Sequence, residues 1–185
     1  MSTAEIDSAI GGAQLRDAVG RFASGVTVVT ALGEDGAPIG CTVSAFSSVS
    51  LDPPLVLVCI DNGRFMHRAL TTGVGFVINV LAADQADLAL SFARPAADKF
   101  TGVPFHRGRG GVPLLDGALA HLQCDRYAVL DGGDHAIVLG RVMTVGTAAG
   151  EPLLYSQGAF LDINRDEWDR AVERAPHEWL LSAPW

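Results

Sequence analysis

Positive charge is scarce in this chain: 13 Lys and Arg stand against 21 Asp and Glu in 185 residues, a net charge of -8. A surface that tracks nucleic-acid phosphates has no supply of charge here, so nucleic acid is not an expected partner. Cysteine is sparse as well. Cys41, Cys59 and Cys124 are odd in number, lack CxxC spacing and sit in apolar segments, which suits buried reduced thiols rather than a disulfide framework. Long hydrophobic runs are missing: residues 55–60 and 73–80 fall far short of the roughly 20 that span a bilayer, and Asn79 interrupts the second. Residues 1–10 hold Glu5 and Asp7, no basic side chain and no apolar run, so no export signal is expected and the expected location is the cytoplasm.

What is present is a globular composition, 49% hydrophobic and 18% charged, on a chain long enough to bury roughly 70% of its unfolded surface in one domain. Residues 14–24 place Leu15, Ala18, Val19, Phe22 and Ala23 at helical spacing, with Gly25 as the stop. Strand-like runs follow at 26–32 and 39–46, joined by a turn with Asp35-Gly36, a hairpin signal. The continuous apolar runs 55–60 and 75–81 predict strands covered on both faces, with a short helix over 64–72 between them. Asp84 is placed to cap a helix whose apolar face is Leu88, Ala89 and Phe92 and which Pro95 ends. A glycine-rich loop spans 102–111, and 119–130 and 135–147 read as long strands joined by a second hairpin turn, Asp131-Gly132-Gly133-Asp134.

About seven strands joined mostly by hairpins predict a mainly β fold, a closed or nearly closed antiparallel barrel with flanking helices. The expected organisation is a flexible N-terminus (1–13), the barrel domain (14–163) and a helical tail (164–185) with alternating charge, three tryptophans, Pro176 and Pro184.

The common catalytic signatures fail here. Gly73-Val74-Gly75 precedes a strand where a dinucleotide fingerprint should follow one, and Leu154-Tyr155-Ser156-Gln157-Gly158 lacks the first glycine of a nucleophile elbow. His121 and Cys124 are three apart on a strand, where the period of two sends them to opposite faces, so no metal is expected. His67, His106 and His177 have no partners at ligand spacing. His135 differs, because Gly133-Asp134 sets it at the first position of a long strand, at a barrel mouth; it is either a strand-start histidine or a ligand-facing one.

The most informative segment is Gly40-Cys41-Thr42-Val43-Ser44-Ala45-Phe46-Ser47-Ser48-Val49-Ser50-Leu51-Asp52-Pro53-Pro54. Small residues let a flat ligand approach the backbone, and hydroxyls with free N–H groups can donate to phosphate or carbonyl oxygens without a cation. The same composition also suits a plain connecting loop. With Phe22-Ala23-Ser24-Gly25-Val26-Thr27, Phe76-Val77-Ile78-Asn79-Val80-Leu81, Asp98-Lys99-Phe100, Gly132-Gly133-Asp134-His135 and Pro152-Leu153-Leu154-Tyr155, the segment resembles the short-chain flavin reductases, which supply reduced flavin to two-component monooxygenases. The resemblance runs from about residue 15 to 160.

It implies an FMN-binding split barrel, a Greek-key antiparallel barrel with flanking helices, working as a homodimer. It implies non-covalent FAD or FMN along Pro38, Gly40, Cys41, Thr42, Ser44 and Ala45, with Cys59, Ile60 and Asp61 beside it. Phe65 and Met66 would come from the short helix, Ser91 and Phe92 would meet the phosphate side, and His135 and Tyr155 would lie by the nicotinamide. Two departures stand out: Ala45 occupies a position that is serine in many relatives, and Asp61-Asn62-Gly63-Arg64 replaces a Lys/Ser-rich stretch. The implied activity is hydride transfer from NADH, rather than NADPH, to free flavin, with a monooxygenase as partner. Two other functions share such a barrel: a flavin-binding module without turnover, and an oxidase of the pyridoxamine-phosphate type, which would want more than Arg107 and Arg109 for its substrate phosphate.

Overall fold

The computed structural model describes residues 10–96 and 98–161. The expected N-terminal and C-terminal segments, and with them the three tryptophans, lie outside the described residues except for 10–13. Seven antiparallel strands form the main sheet: β2 (Thr27–Leu32), β3 (Pro38–Val43), β4 (Phe46–Leu51), β5 (Pro54–Asp61), β6 (Gly75–Val80), β9 (Ala120–Gly132) and β10 (His135–Thr147). Their order across the sheet is β3-β2-β6-β9-β10-β5-β4. A short sheet joins β1 (Ser24–Gly25), β11 (Leu154–Ser156) and β12 (Ala159–Leu161), and β7 (Phe105–Arg107) pairs with β8 (Pro113–Leu115). Three helices flank them: α1 (Gly12–Gly20), α2 (Phe65–Thr72) and α3 (Ala86–Ala93).

The two expected hairpins form as their turn residues dictate. Asp35 Oδ1 accepts from the Ala37 N–H and Asp131 Oδ1 from the Gly133 N–H, while Gly36 and Gly133 take φ of 76° and 80°, a left-handed conformation that costs glycine nothing. Inside the curled sheet, Val29, Val58, Phe76, Ile78 and Val138 pack with Met66 and Leu70 of α2. A second cluster, Val28, Leu81, Ala89, Phe92, Leu115 and Leu153, lies beneath α3, so β2 is covered on both faces. Asn79 is fully buried between them: its amide donates to Val28 O and Thr30 Oγ1, and its carbonyl accepts from the Leu115 N–H.

Several expectations are corrected. The first helix covers Gly12–Gly20, because the N–H groups of Arg21 and Phe22 turn back three residues to Ala18 and Val19, and Gly25 belongs to a strand instead of ending the helix. Its apolar stripe is not buried among the described residues: Leu15 and Val19 are exposed, and Phe22, just past the helix, is 81% exposed. Asp84 sits inside a 3-10 turn, and the reach-back at that helix start is made by Gln85, whose Oε1 accepts from the Ala82 N–H. Residues 46–51 are an edge strand paired to β5, not a loop, and 102–111 contains β7. β5 is covered on one face only, its burial alternating with the pleat.

Candidate functional site

The sheet begins at β3 and ends at β4, yet these strands are consecutive in the chain and joined by Ser44 and Ala45 alone. Two residues reach about 7 Å, so the edges are brought together at this one point and the sheet rolls into a barrel. It does not close: β3 shares no ladder with β4 or β5. Ala45 O accepts from the Cys59 N–H, and beyond that bond β3 and β5 diverge, leaving a seam.

The open side of β3 can be read from its ladder. In an antiparallel pair the N–H and C=O of one residue point to the same side, and the side alternates along the strand. Gly33 donates to Ala37 O, which makes the next pair, Leu32 and Pro38, a non-bonded one. Counting on by twos, Pro38, Gly40 and Thr42 turn their backbone groups away from β2. Lys99 confirms the count, since its Nζ donates to Gly40 O from outside at 3.3 Å. The Thr42 N–H is therefore a donor on the open edge with no ladder partner among the described residues.

A cleft of about 540 Å³ fills the seam, within the size range of cofactor sites. Of the sequence-predicted residues it is lined by Cys41, Thr42, Ser44, Cys59, Ile60, Asp61, Phe65, Phe92, His135 and Tyr155. Pro38 lies at the hairpin end of β3, Gly40 is buried under the Phe92 ring, Ala45 is exposed on the link, Ser91 is exposed on α3, and Met66 is fully buried in the core. A second cavity of about 620 Å³, lined by Leu32, Thr72, Val74, Arg109 and Asp125 among others, holds none of them.

α3 forms one wall and is held to β3 by two bonds: Thr42 Oγ1 donates to Ala89 O at 2.6 Å, and Lys99 Nζ bridges Gly40 O and Phe92 O, the latter at 2.8 Å. On the opposite wall, β5 pairs with β10 so that Asp61 faces His135 in register. The 131–134 turn is fastened there as well, Asn62 donating through its backbone to Asp134 O and through its side chain to Gly133 O. His135 Nδ1 lies 2.7 Å from Asp134 Oδ1, and that hydrogen bond holds the Asp134 carboxyl below the usual range. Tyr155 packs edge-on against Phe160, ring centres 5.7 Å apart, at the third side of the cleft.

Burial pushes the Cys41 thiol up to about 11, so it stays protonated at neutral pH and is no thiolate nucleophile. The site offers instead an edge donor, hydroxyls, aromatic and aliphatic walls, and cations, a set for holding a flat, oxygen-rich anion. Those cations were not among the predicted site residues. Lys99, Arg64 and Arg94 all line the cleft, and Asp61 Oδ2 lies 3.9 Å from Arg64 Nε. Lys99 is the chain's single lysine, and its place in the Asp98-Lys99-Phe100 segment was the available signal. Leu90, Ala93 and Phe160 add apolar surface, a contribution sequence pattern does not mark.

The family described as the flavin reductase like domain matches residues 19–164. The reductase component of a 4-nitrophenol 4-monooxygenase/4-nitrocatechol 2-monooxygenase from Rhodococcus opacus is 45% identical over 148 residues, 80% of this chain and 79% of that protein. A probable flavin reductase of Rhizobium meliloti is 42% identical over 79% of this chain, which spans 47% of that relative's length. Among solved structures, an NADH:FAD oxidoreductase of Streptomyces globisporus in complex with NAD and FAD fragments superposes with a TM-score of 0.79 at 43% identity, covering 83% of this chain and 93% of the other.

Proposed function

The chain belongs to the flavin reductase like domain family, and from that premise we propose that it is an NADH-dependent reductase of free FAD or FMN that hands reduced flavin to a partner monooxygenase. The observation that carries this reading is the seam: a cleft of about 540 Å³ with the Thr42 N–H, which has no ladder partner among the described residues, on one wall and His135 on the other. The residues fit a flavin, since Cys41, Ile60, Phe65 and Phe92 supply apolar surface for a tricyclic ring and the open β3 edge supplies a donor for its oxygens.

When both cofactors are bound they supply the chemistry, a hydride passing from C4 of the dihydronicotinamide to N5 of the flavin. The protein's task is to stack the reacting atoms within about 3 to 3.5 Å and to meet developing charge with fixed donors. The Thr42 backbone N–H is such a donor and needs no reorganisation to act. His135, braced by Asp134, orients the nicotinamide, and Tyr155 closes that end. No side chain need act as general base, which accords with a cleft that carries no triad.

The partner in assembly is a second copy. Leu15 and Val19 of α1, Phe22 just after it, and Tyr127, Met143 and Val145 of the long hairpin are exposed in the single chain, and an isologous interface is the common way to cover such surface. Light scattering at twice 19.4 kDa is the expected result. No helix among the described residues is long and apolar enough to cross a membrane, and the cytoplasm is the compartment that suits the reduced thiols.

The test is direct. Purified protein mixed with NADH and FAD or FMN should consume NADH steadily, followed by its absorbance. Bound yellow flavin without NADH consumption would instead identify a flavin-binding module. His135→Ala should raise the KM for NADH or slow flavin reduction while flavin affinity holds; unchanged hydride transfer in stopped flow removes that role.

A further inference from the structure

The turn that carries His135 into the cleft is soft by composition. Gly132 and Gly133 are adjacent, Gly133 at φ 80°, so the backbone leading into Asp134 and His135 has glycine's freedom to move. The Asp134 side chain is 93% exposed, yet it makes the 2.7 Å contact to His135 Nδ1. A carboxylate in solvent aims a ring only as well as its own backbone is held. That hold comes from the neighbouring strand. β5 ends at Asp61, paired with His135, and the next residue, Asn62, donates its backbone N–H to Asp134 O at 3.0 Å and its side-chain Nδ2 to Gly133 O at 3.1 Å. One residue thereby fixes two successive carbonyls of the turn, the second through a side chain that stands in for a further rung of the ladder. Asn62 is itself set in place, because Asp61 Oδ1 accepts from the Gly63 N–H at 2.7 Å and Asp61 O from the Arg64 N–H at 3.0 Å. Asp61, Gly63 and Arg64 line the cleft, and Asn62 does not.

Resting on the reading that NADH reduces a flavin in this cleft, we infer that Asn62 is a positioning residue for that reaction, clamping the 133–134 backbone so that Asp134 holds the His135 ring in place for the nicotinamide. An ionised carboxylate only accepts, so the proton shared with Asp134 sits on Nδ1, and a neutral ring keeps Nε2 as an acceptor. The carboxamide N–H2 of a nicotinamide is a donor matched to it. A turn released from Asn62 lets the carboxylate drift and the ring rotate, and the acceptor leaves its place. The effect of Asn62 therefore passes through His135 and falls on the hydride donor, not on the flavin held at the β3 wall.

The experiment is NADH oxidation kinetics, with flavin titration alongside, on the wild-type chain, Asn62→Ala, Asn62→Asp, His135→Ala and the double variant Asn62→Ala, His135→Ala. Asn62→Ala removes one neutral hydrogen bond, so kcat/KM for NADH should fall about threefold to tenfold while Kd for the flavin holds. Asn62→Asp keeps the shape but sets an acceptor against Gly133 O, and should lose at least as much. In the double variant Asn62→Ala should add nothing to the loss from His135→Ala, the mark of a residue that works through another. An unchanged kcat/KM, an equal loss of flavin affinity, or the same further loss when His135 is already alanine overturns the positioning role, and so does a His135→Ala chain that matches the wild type. Asn62 is exposed, and Asn62→Asp keeps the test standing where Asn62→Ala fails to fold. A wild-type chain that oxidises no NADH with FAD or FMN refutes the function proposed above, whereas one that does so beside any of those outcomes refutes the positioning role alone.

Discussion

Replacing Gly40 by alanine should separate α3 from the barrel and thereby open the cleft. An ideal Cβ at Gly40 stands 2.7 Å from Phe92 Cε1, 3.0 Å from Phe92 Cδ1 and 3.3 Å from Val29 O. Carbon atoms in contact sit at about 3.5 to 4.0 Å, so the ring or the strand must move by about 1 Å. The ring has little freedom: it is fully buried and packs edge-on against Phe100, centres 5.1 Å apart, which packs in turn against Phe105 at 5.3 Å. The backbone of β3 is pinned to β2 on its other side. Overpacking of this kind costs about 2 kcal/mol, which for a domain of this size lowers Tm by about 4–8 °C. Because Thr42 to Ala89 O and Lys99 to Phe92 O are the ties between α3 and β3, the same displacement should weaken flavin binding. Gly25→Ala is the matched control, since its Cβ meets nothing within 4 Å and its φ is not left-handed. Calorimetry of both variants, with flavin titrations alongside, decides the matter. Equal Tm values for the two, or a destabilised Gly40→Ala that binds flavin as well as the wild type, would refute the reasoning.

Asn79→Leu should lower stability by about 2 kcal/mol, because it leaves the Leu115 N–H without its acceptor in a buried site; an unshifted urea midpoint would contradict this. Burial raises the Cys41 and Cys124 thiols from 9.0 to about 11 and about 12, so the folded chain keeps protons that the unfolded chain releases. Stability is therefore full below pH 9 and falls as pH climbs from there through about 11 and 12, by about 1 kcal/mol per unit for each thiol. A Cys41→Ala, Cys124→Ala chain should lose stability less steeply over that range in urea titrations, and parallel slopes would show that the thiols are not the cause.

The main sheet was legible because its signals are local. Asp35-Gly36 and the 131–134 turn each fix a hairpin through their own side chain and a left-handed glycine, and β5 and β6 announce themselves as apolar runs too short for buried helices. The misread elements are those whose state is decided elsewhere. β4 is rich in serine and looks like a loop, but the β5 edge gives its backbone a partner and pays no regard to its side chains. α1 has the stripe of a core helix, and among the described residues nothing covers that stripe. In the site, Cys41, Thr42, Cys59 and Asp61 could be anticipated because they lie on strand ends that a family pattern marks. Lys99 was marked only by being the chain's single lysine, in the Asp98-Lys99-Phe100 segment; its burial with no carboxylate of the described residues within ion-pair distance is a fact of three dimensions.

An unpaired strand edge is ordinarily a liability, a row of donors and acceptors that invites another chain. The outward positions of β3 show how this one is managed. Pro38 has no N–H to leave open, the Gly40 carbonyl is taken by Lys99, and the Thr42 hydroxyl ties the strand to α3, so the edge is covered in part while backbone N–H groups on its inner stretch stay open. The chain crosses from one edge to the other through Ser44 and Ala45, and β4 then pairs with β5 and not with β3, which leaves those groups free of a ladder. The donors offered to the cleft are thus hydrogen bonds that the sheet leaves uncompleted.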